Sequence, residues 1–256
     1  MGIARCGSQL FLMESTVRPF SGSILQLGRQ DIYFDYPTYR AHAEQLGVRL
    51  TPLDVVTKRK NPYFPELDSI DDTAFFKSLG FDTVHSIDSS DFENATHVHD
   101  LNYPVPADLH NRYDVIFNGG TLEHIFHTPN VLANMHAMLK VGGKLIHYAP
   151  AFNFVDHGFY NFSPCLFLDY YEANHYRFCT TYLVCHSAPI NPFIDPLIIK
   201  YAPGDLDQYS LGGLNKDVLV GREMMQTFLT VEKVPESTCT EIPQQGFYRK
   251  VWAQAK

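Results

Sequence analysis

The stretch that most constrains this chain is residues 113–150, YDVIFNGGTLEHIFHTPNVLANMHAMLKVGGKLIHYAP. Two short apolar runs, 114–118 and 144–148, bracket a segment of helical composition that closes on Gly142 and Gly143. Runs that are apolar almost throughout, rather than at every second residue, suit strands of a parallel sheet with helices on both faces. Parallel neighbours need a crossover of this length, and such crossovers are right-handed. A polar group, Asn118, Gly119, Glu123 and His124, follows the first run directly. It falls at the carboxyl end of a strand, the edge where open α/β sheets bind ligands. Place and chemistry agree, and the chain reads as an enzyme.

The flanking sequence extends the pattern. Residues 23–27 (SILQL) run into Gly28, residues 83–88 (TVHSID) run into a polar turn, and residues 96–99 are a shorter strand candidate. Residues 39–46 and 71–79 have helical composition, the second opening on Asp71 or Asp72 and stopping at Gly80. Later strands are expected at 182–184, 197–201, 228–234 and 247–252, with a polar glycine-rich excursion around 204–213. Residues 1–22 read as a lead-in with a short apolar patch at 10–13, and residues 58–65 as a loop. Strands alternating with helices make an α/β chain, and 256 residues suffice for one large domain.

A net charge of -8 argues against a nucleic-acid partner, because binding to the phosphate backbone needs a dense basic patch. The single basic run, Lys58-Arg59-Lys60, sits beside Asn61, Pro62 and Pro65 and reads as a solvated loop. The five cysteines are irregularly spaced with no CxxC pair, so reduced thiols are expected. No apolar segment reaches membrane-spanning length and no signal-peptide pattern opens the chain. A cytoplasmic protein with no membrane partner is expected. His97 and His99 share a strand face, and His124 and His127 share a loop, but neither pair gathers an obvious third ligand. No metal site is expected.

Taken in order, these landmarks resemble the class I S-adenosylmethionine-dependent methyltransferases over roughly residues 23–150. The strand into Gly28 resembles the family's first motif, where a backbone turn passes the methionine end of the cofactor. Here the turn reads Gly28-Arg29-Gln30-Asp31 in place of a run of glycines, leaving Gly28 alone to allow close backbone approach. Arg29 and Gln30 then point away or touch the cofactor, and Arg29 suits its carboxylate. Asp88, with Ser89 after it, stands where the family places an acid that holds both ribose hydroxyls; a helix-cap role for Asp88, with Asp91 on the ribose, is the alternative. Asp100 and Leu101 resemble the adenine-contacting segment. YDVIFNGGTLEH and LKVGGKLIHYAP resemble the fourth- and fifth-strand motifs, which places Asn118, Gly119 and Glu123 on the cofactor side.

The resemblance implies S-adenosyl-L-methionine as cofactor. It also implies a Rossmann-like, doubly wound, mostly parallel seven-stranded sheet with helices on both faces. The single domain, 1–256, then divides into a cofactor-binding half at 23–150 and an acceptor half at 151–256. The acceptor half opens with an aromatic-rich insertion or cap after the fifth strand.

That insertion, AFNFVDHGFYNFSPCLFLDYYEANHYRF, mixes aromatics with polar groups, as a wall against a ring or sugar face would. Most of Phe154, Phe159, Phe162 and Phe167 read as core. Asp156, Tyr160, Asn161 and Tyr170 are candidate acceptor contacts. His157, flanked by Asp156 and Gly158, and His124 are candidate catalytic bases, because imidazole titrates near neutrality. The expected reaction is O-methylation of a small-molecule or sugar hydroxyl, with a homodimer as the candidate assembly. Aminocarboxypropyl transfer, cyclisation, or a noncatalytic binding module on the same fold are the alternatives. A nicotinamide oxidoreductase would need GxGxxG after the first strand, which GRQD does not supply. NGGT after the fourth strand likewise lacks the Asn/Asp-Pro-Pro-Tyr/Phe run of nucleic-acid amine methyltransferases.

Overall fold

Adjacent apolar residues on the central strands point to opposite faces of one sheet, and both faces are covered. The computed structural model describes residues 2–60, 64–186, 194–201 and 224–254. Its first half holds β1 (Gly2–Ile3), α1 (Arg5–Val17), β2 (Ser23–Leu27), β3 (Asp31–Ile32), α2 (Tyr36–Gln45), α3 (Asp72–Ser78), β4 (Thr83–Asp88) and β5 (His97–Val98). There follow β6 (Tyr113–Asn118), α4 (Thr128–Met138), β7 (Leu139–Phe152), α5 (Pro164–Ala173), β8 (Arg177–His186), β9 (Leu197–Lys200), β10 (Met224–Glu232) and α6 (Gly246–Gln254). Ile24, Val115, Phe117 and Ile146 pack into a cluster with α1, α2 and α3. Leu25, Leu27, Ile116 and Leu145 pack into a second cluster with α4 and α5. This two-sided burial explains why the strands read as unbroken apolar runs.

The main sheet runs β5-β4-β2-β6-β7-β10-β8-β9. Its first five strands are mutually parallel. The last three alternate, β10 lying antiparallel to both β7 and β8, and β9 antiparallel to β8. The fold is a Rossmann-like α/β sheet of eight described strands with mixed orientation, where seven mostly parallel strands were expected. The difference arises at one edge: β9 folds back on β8 and adds a strand, and β10 inserts between β7 and β8 in the reverse direction.

Local signals set several boundaries. The Asp71 side chain accepts from Ala74 N at 2.7 Å and caps α3, which stops before Gly80 at φ 110°. Other expectations need correction. Gly142 does have a left-handed backbone, φ 81°, but it closes no helix. α4 ends at Met138, and Gly142 lies inside β7, where pairing with β6 shifts register between Tyr113 and Val115. It shapes a bulge. Residues 247–252, expected as a strand, belong to α6, in which the rings of Tyr248 and Trp252 stack one helical turn apart. The glycine-rich stretch at 204–213 lies outside the described residues. Among the described residues no helix is long and apolar enough to cross a membrane.

The segment read as a lead-in contains α1, whose Leu10, Phe11 and Leu12 are buried. Its Glu14 is buried as well. One carboxylate oxygen accepts from Lys144 Nζ on β7 at 2.5 Å, and the other from Thr180 on β8 (2.7 Å) and Thr230 on β10 (3.3 Å). One side chain thus ties α1 to three strands. Glu14→Ala strands the Lys144 charge in the interior, and urea denaturation is expected to show a loss of about 3 to 5 kcal/mol.

His147 on β7 is fully buried between Asn118 and Tyr171, with ring nitrogens 3.2 Å from Asn118 Nδ2 and 2.6 Å from the Tyr171 hydroxyl. Burial pushes its imidazole down to about 3. The unfolded chain takes up this proton near the ordinary histidine value and the native state does not. Stability is therefore complete above about pH 6.5 and falls as pH drops toward 3, by roughly 1.4 kcal/mol per pH unit from this group. In denaturation series across that window, His147→Gln is expected to show a shallower acid limb than the parent protein.

Candidate active site

Chain order reverses direction across the sheet at β2, which has β4 on one side and β6 on the other. A crevice outside the carboxyl ends of the strands is the consequence of such a reversal. A cavity of about 300 Å³ lies there. Its walls come from Gly28, Arg29 and Gln30 after β2, Asp88 and Ser89 after β4, Asp100 and Leu101 after β5, and Thr121 and His124 after β6.

Each wall has a local cause. Gly28 sits at φ 67° and donates its N–H to Ile87 O at 2.9 Å. A Cβ there would lie 2.8 Å from Thr121 Oγ1 and 3.7 Å from Asp88 Oδ2, so the position has no room for a side chain beside Thr121. Asp88 caps no helix, since residues 89–92 form bends and a turn. Its Oδ1 accepts weakly from Ser89 Oγ and Ser90 N, both at 3.3 Å. Asp91 is absent from the cavity wall. Asp100 accepts from Asn102 N (2.9 Å) and Nδ2 (2.8 Å), and these bonds hold its carboxyl below the usual range. The Leu101 carbonyl accepts from Asn130 and Asn134, one turn apart on α4, which anchors the segment.

Arg29 does not stand in the cavity as an uncommitted charge. Its Nη2 and Nε donate to Asp72 Oδ1 at 3.0 and 3.1 Å, and this pairing raises its already high pKa further. Gln30 is buried, its Nε2 donating at 3.3 Å to Leu27 O and Gly28 O.

Three residues expected on the cofactor side do not line the cavity. Asn118 turns inward: its Oδ1 accepts from Thr121 N (3.2 Å) and Leu122 N (3.0 Å) and opens the short 3₁₀ turn Leu122–His124. Gly119 packs so tightly that a Cβ would lie 2.5 Å from the Phe117 ring. Glu123 is fully buried, and neither of its carboxyl oxygens has a hydrogen-bond partner.

The loop after β7 folds back over Glu123. Asn161 holds it by accepting from Phe154 N (3.2 Å) and donating to Phe154 O (3.4 Å), and Asp156 turns it at φ 58°. Phe159 N donates to Glu123 O at 2.8 Å, and a Cβ on Gly158 would lie 2.8 Å from the same oxygen. This brings His157 Nε2 to 3.7 Å from Glu123 Oε1 and the His157 ring to 5.1 Å from that of His124. The expected acceptor contacts fare differently. Asp156 and Asn161 shape the loop, Tyr160 donates to Phe126 O at 2.9 Å, and Tyr170 belongs to the core beneath α5. Phe154, Phe162 and Phe167 are buried, but Phe159 is exposed and meets exposed Phe126 edge to face at 5.8 Å.

Glu93, His99, Asn102, Gly120 and Ile125 also line the cavity and were not anticipated. Most neighbour the motif residues, so reading whole post-strand loops would have found them.

No protein-family profile and no curated protein matches the chain. Solved structures of similar shape include a Bacillus halodurans protein regarded as a methyltransferase, with a TM-score of 0.48 and 9% identity over 88% of this chain and 98% of that one. A Burkholderia thailandensis 1,6-didemethyltoxoflavin-N1-methyltransferase, solved with its substrate and S-adenosylhomocysteine, gives 0.42 and 11% over 90% and 78%. A SAM-dependent methyltransferase of Thermotoga maritima gives 0.38 and 12% over 90% of each chain. Similarity this distant leaves the chemistry to be read from this chain's own residues.

Gly28→Ala is expected to lower stability by more than Gly47→Ala. Both positions are left-handed at φ 67°, but a Cβ at Gly47 meets nothing within 4 Å. The shared strain is about 1 to 2 kcal/mol, and any excess at Gly28 measures the contact with Thr121. Parallel urea titrations give the comparison.

Proposed function

We propose that this protein is an S-adenosyl-L-methionine-dependent methyltransferase acting on a hydroxyl of a small molecule or sugar. One observation carries the reading: Gly28, Asp88, Asp100 and Leu101, from three separate strand ends, line a single cavity. The fit is chemical as well as spatial. Gly28 lines the cavity with no side chain of its own, which lets a ligand approach the main chain, and Asp88 Oδ2 lies on the same side. Asp88 can accept from two ribose hydroxyls at once, with Ser89 beside it. Leu101 and Ile125 offer an apolar slot for adenine at the edge held by Asp100.

The cofactor, when bound, supplies a methyl group on an electrophilic sulfonium. The chain's residues then have distinct duties. Arg29, pinned by Asp72, and Gln30 rigidify the turn along the methionine end. Asn118 and Gly119 support the opposite wall from beneath, and Glu123 underlies the acceptor side. His124, which lines the cavity, and His157, whose ring lies 5.1 Å from it, are the candidates to take the acceptor's proton or hold its oxygen. Asp156, Tyr160 and Asn161 maintain the loop that carries His157, and Tyr170 contributes through packing. The exposed Phe126–Phe159 pair suits a ring or sugar face. The acidic balance of the chain disfavours a nucleic-acid acceptor.

Isothermal titration with S-adenosylmethionine and S-adenosylhomocysteine tests this reading. Micromolar binding is expected for the parent protein, and Asp88→Ala should weaken it by roughly 10- to 100-fold, the scale of a lost charged hydrogen bond. Failure of the folded parent protein to bind either compound would overturn the proposal. Once binding is established, the mass gained by an acceptor separates methyl transfer from aminocarboxypropyl transfer.

A further inference from the structure

Glu123 and His124, neighbours in the motif after β6, are joined in the fold by His157 from the loop after β7. Each presents one ligand atom, and the three atoms lie within 4.8 Å of one another. Glu123 is the buried member, with side-chain exposure of 0% against 34% for His157. Both its oxygens lack a hydrogen-bond partner, and His157 Nε2 stands at 3.7 Å, beyond hydrogen-bonding reach. A buried carboxyl group is ordinarily satisfied by donors, and one left without them calls for an explanation. The surrounding backbone holds it there: Phe159 N bonds the Glu123 carbonyl, and Gly158 packs flush against that residue.

We propose that these three side chains bind a divalent first-row transition-metal ion. Two imidazoles and one carboxylate on one side of an ion, with the remaining positions open, are a known donor set for zinc, iron and related metals. Magnesium and calcium prefer all-oxygen surroundings, so the two histidines select against them. Bonds of ~2 Å to a common ion place donor atoms ~3 to 3.5 Å apart. The present spread therefore needs only modest closure, which the partly exposed His157 loop can provide. The open side of the cluster is on the histidine side, and His124 also lines the cavity. An ion there would have protein donors on the buried side and exchangeable positions facing the crevice.

The metal site stands on its own geometry. Its consequence for catalysis rests on the methyltransferase reading. On that reading the ion holds the acceptor oxygen and lowers the affinity of the hydroxyl for its proton, which passes to water. The imidazole nitrogens of His124 and His157 then serve as ligands, and their part in the reaction is to place the ion.

The test uses full-length protein stripped with a chelator and titrated with Co²⁺, whose visible ligand-field absorption reports coordination. One equivalent is expected to bind, with Zn²⁺ displacing it. His157→Ala, on a partly exposed loop, and His124→Ala should each weaken binding at least tenfold, the lower scale seen for losses even outside the ligand shell. Circular dichroism and melting establish that both variants are folded, and Glu123→Gln supplies a third variant of nearly unchanged volume. Absence of stoichiometric Co²⁺ binding by the parent protein, or binding undiminished in the folded histidine variants, would overturn the site. Cobalt binding is read without S-adenosylmethionine, so failure here and failure of the cofactor titration are separate results.

Discussion

The central strands are buried on both faces, and most of the molecule follows from that condition. A polar side chain in the middle of such a strand must find its partner inside the protein. Gln26 does so by donating to Asp72 at 2.8 Å and accepting from Gln30 N at 3.2 Å. His147 does so between Asn118 and Tyr171. The polar side chains that line the cavity come from the strand ends and the loops that follow them. At the carboxyl ends of β2, β4, β5 and β6 the polar residues meet across the topological switch and enclose the cavity.

Internal polar partners also decide which groups remain for a ligand. Arg29 would be the natural anion contact after β2, but Asp72 holds it, and Asp72 in turn also receives Gln26. Asp88 is less committed, with two long hydrogen bonds to one oxygen and its second oxygen toward Gly28. The contrast leaves Asp88 the less engaged of the two side chains on the cavity wall.

The turn after β6 makes a similar division within four residues. Asn118 satisfies the backbone of the turn, which drives Glu123 inward and leaves His124 outward. The loop after β7 then closes over Glu123 without donating to its carboxyl group. Buried polar atoms without partners are uncommon, and local violations of this kind concentrate where a protein binds or reacts. The carboxyl group beneath two imidazoles is the clearest such place in the described structure.

Local features were legible in the chain itself. Strands β2, β4 and β6 and a cap of α3 at Asp71 or Asp72 were readable because apolar runs, capping side chains and stop glycines act over a few residues, and the fold selected Asp71. The same signals put Gly28 and Asp88 at strand ends, the family resemblance marked Asp100 and Leu101 besides, and all four line the cavity. They misread Gly142, because a left-handed glycine can shape a bulge as well as end a helix. They also misread 247–252, where aromatic residues fit either period. Tertiary structure alone decided the insertion of β10 between β7 and β8, the anchoring of α1 by Glu14, and the capture of Arg29 by Asp72. It alone brought His157 over Glu123. These outcomes depend on contacts between residues distant in sequence, and no local periodicity or propensity encodes which distant side chain will be the partner.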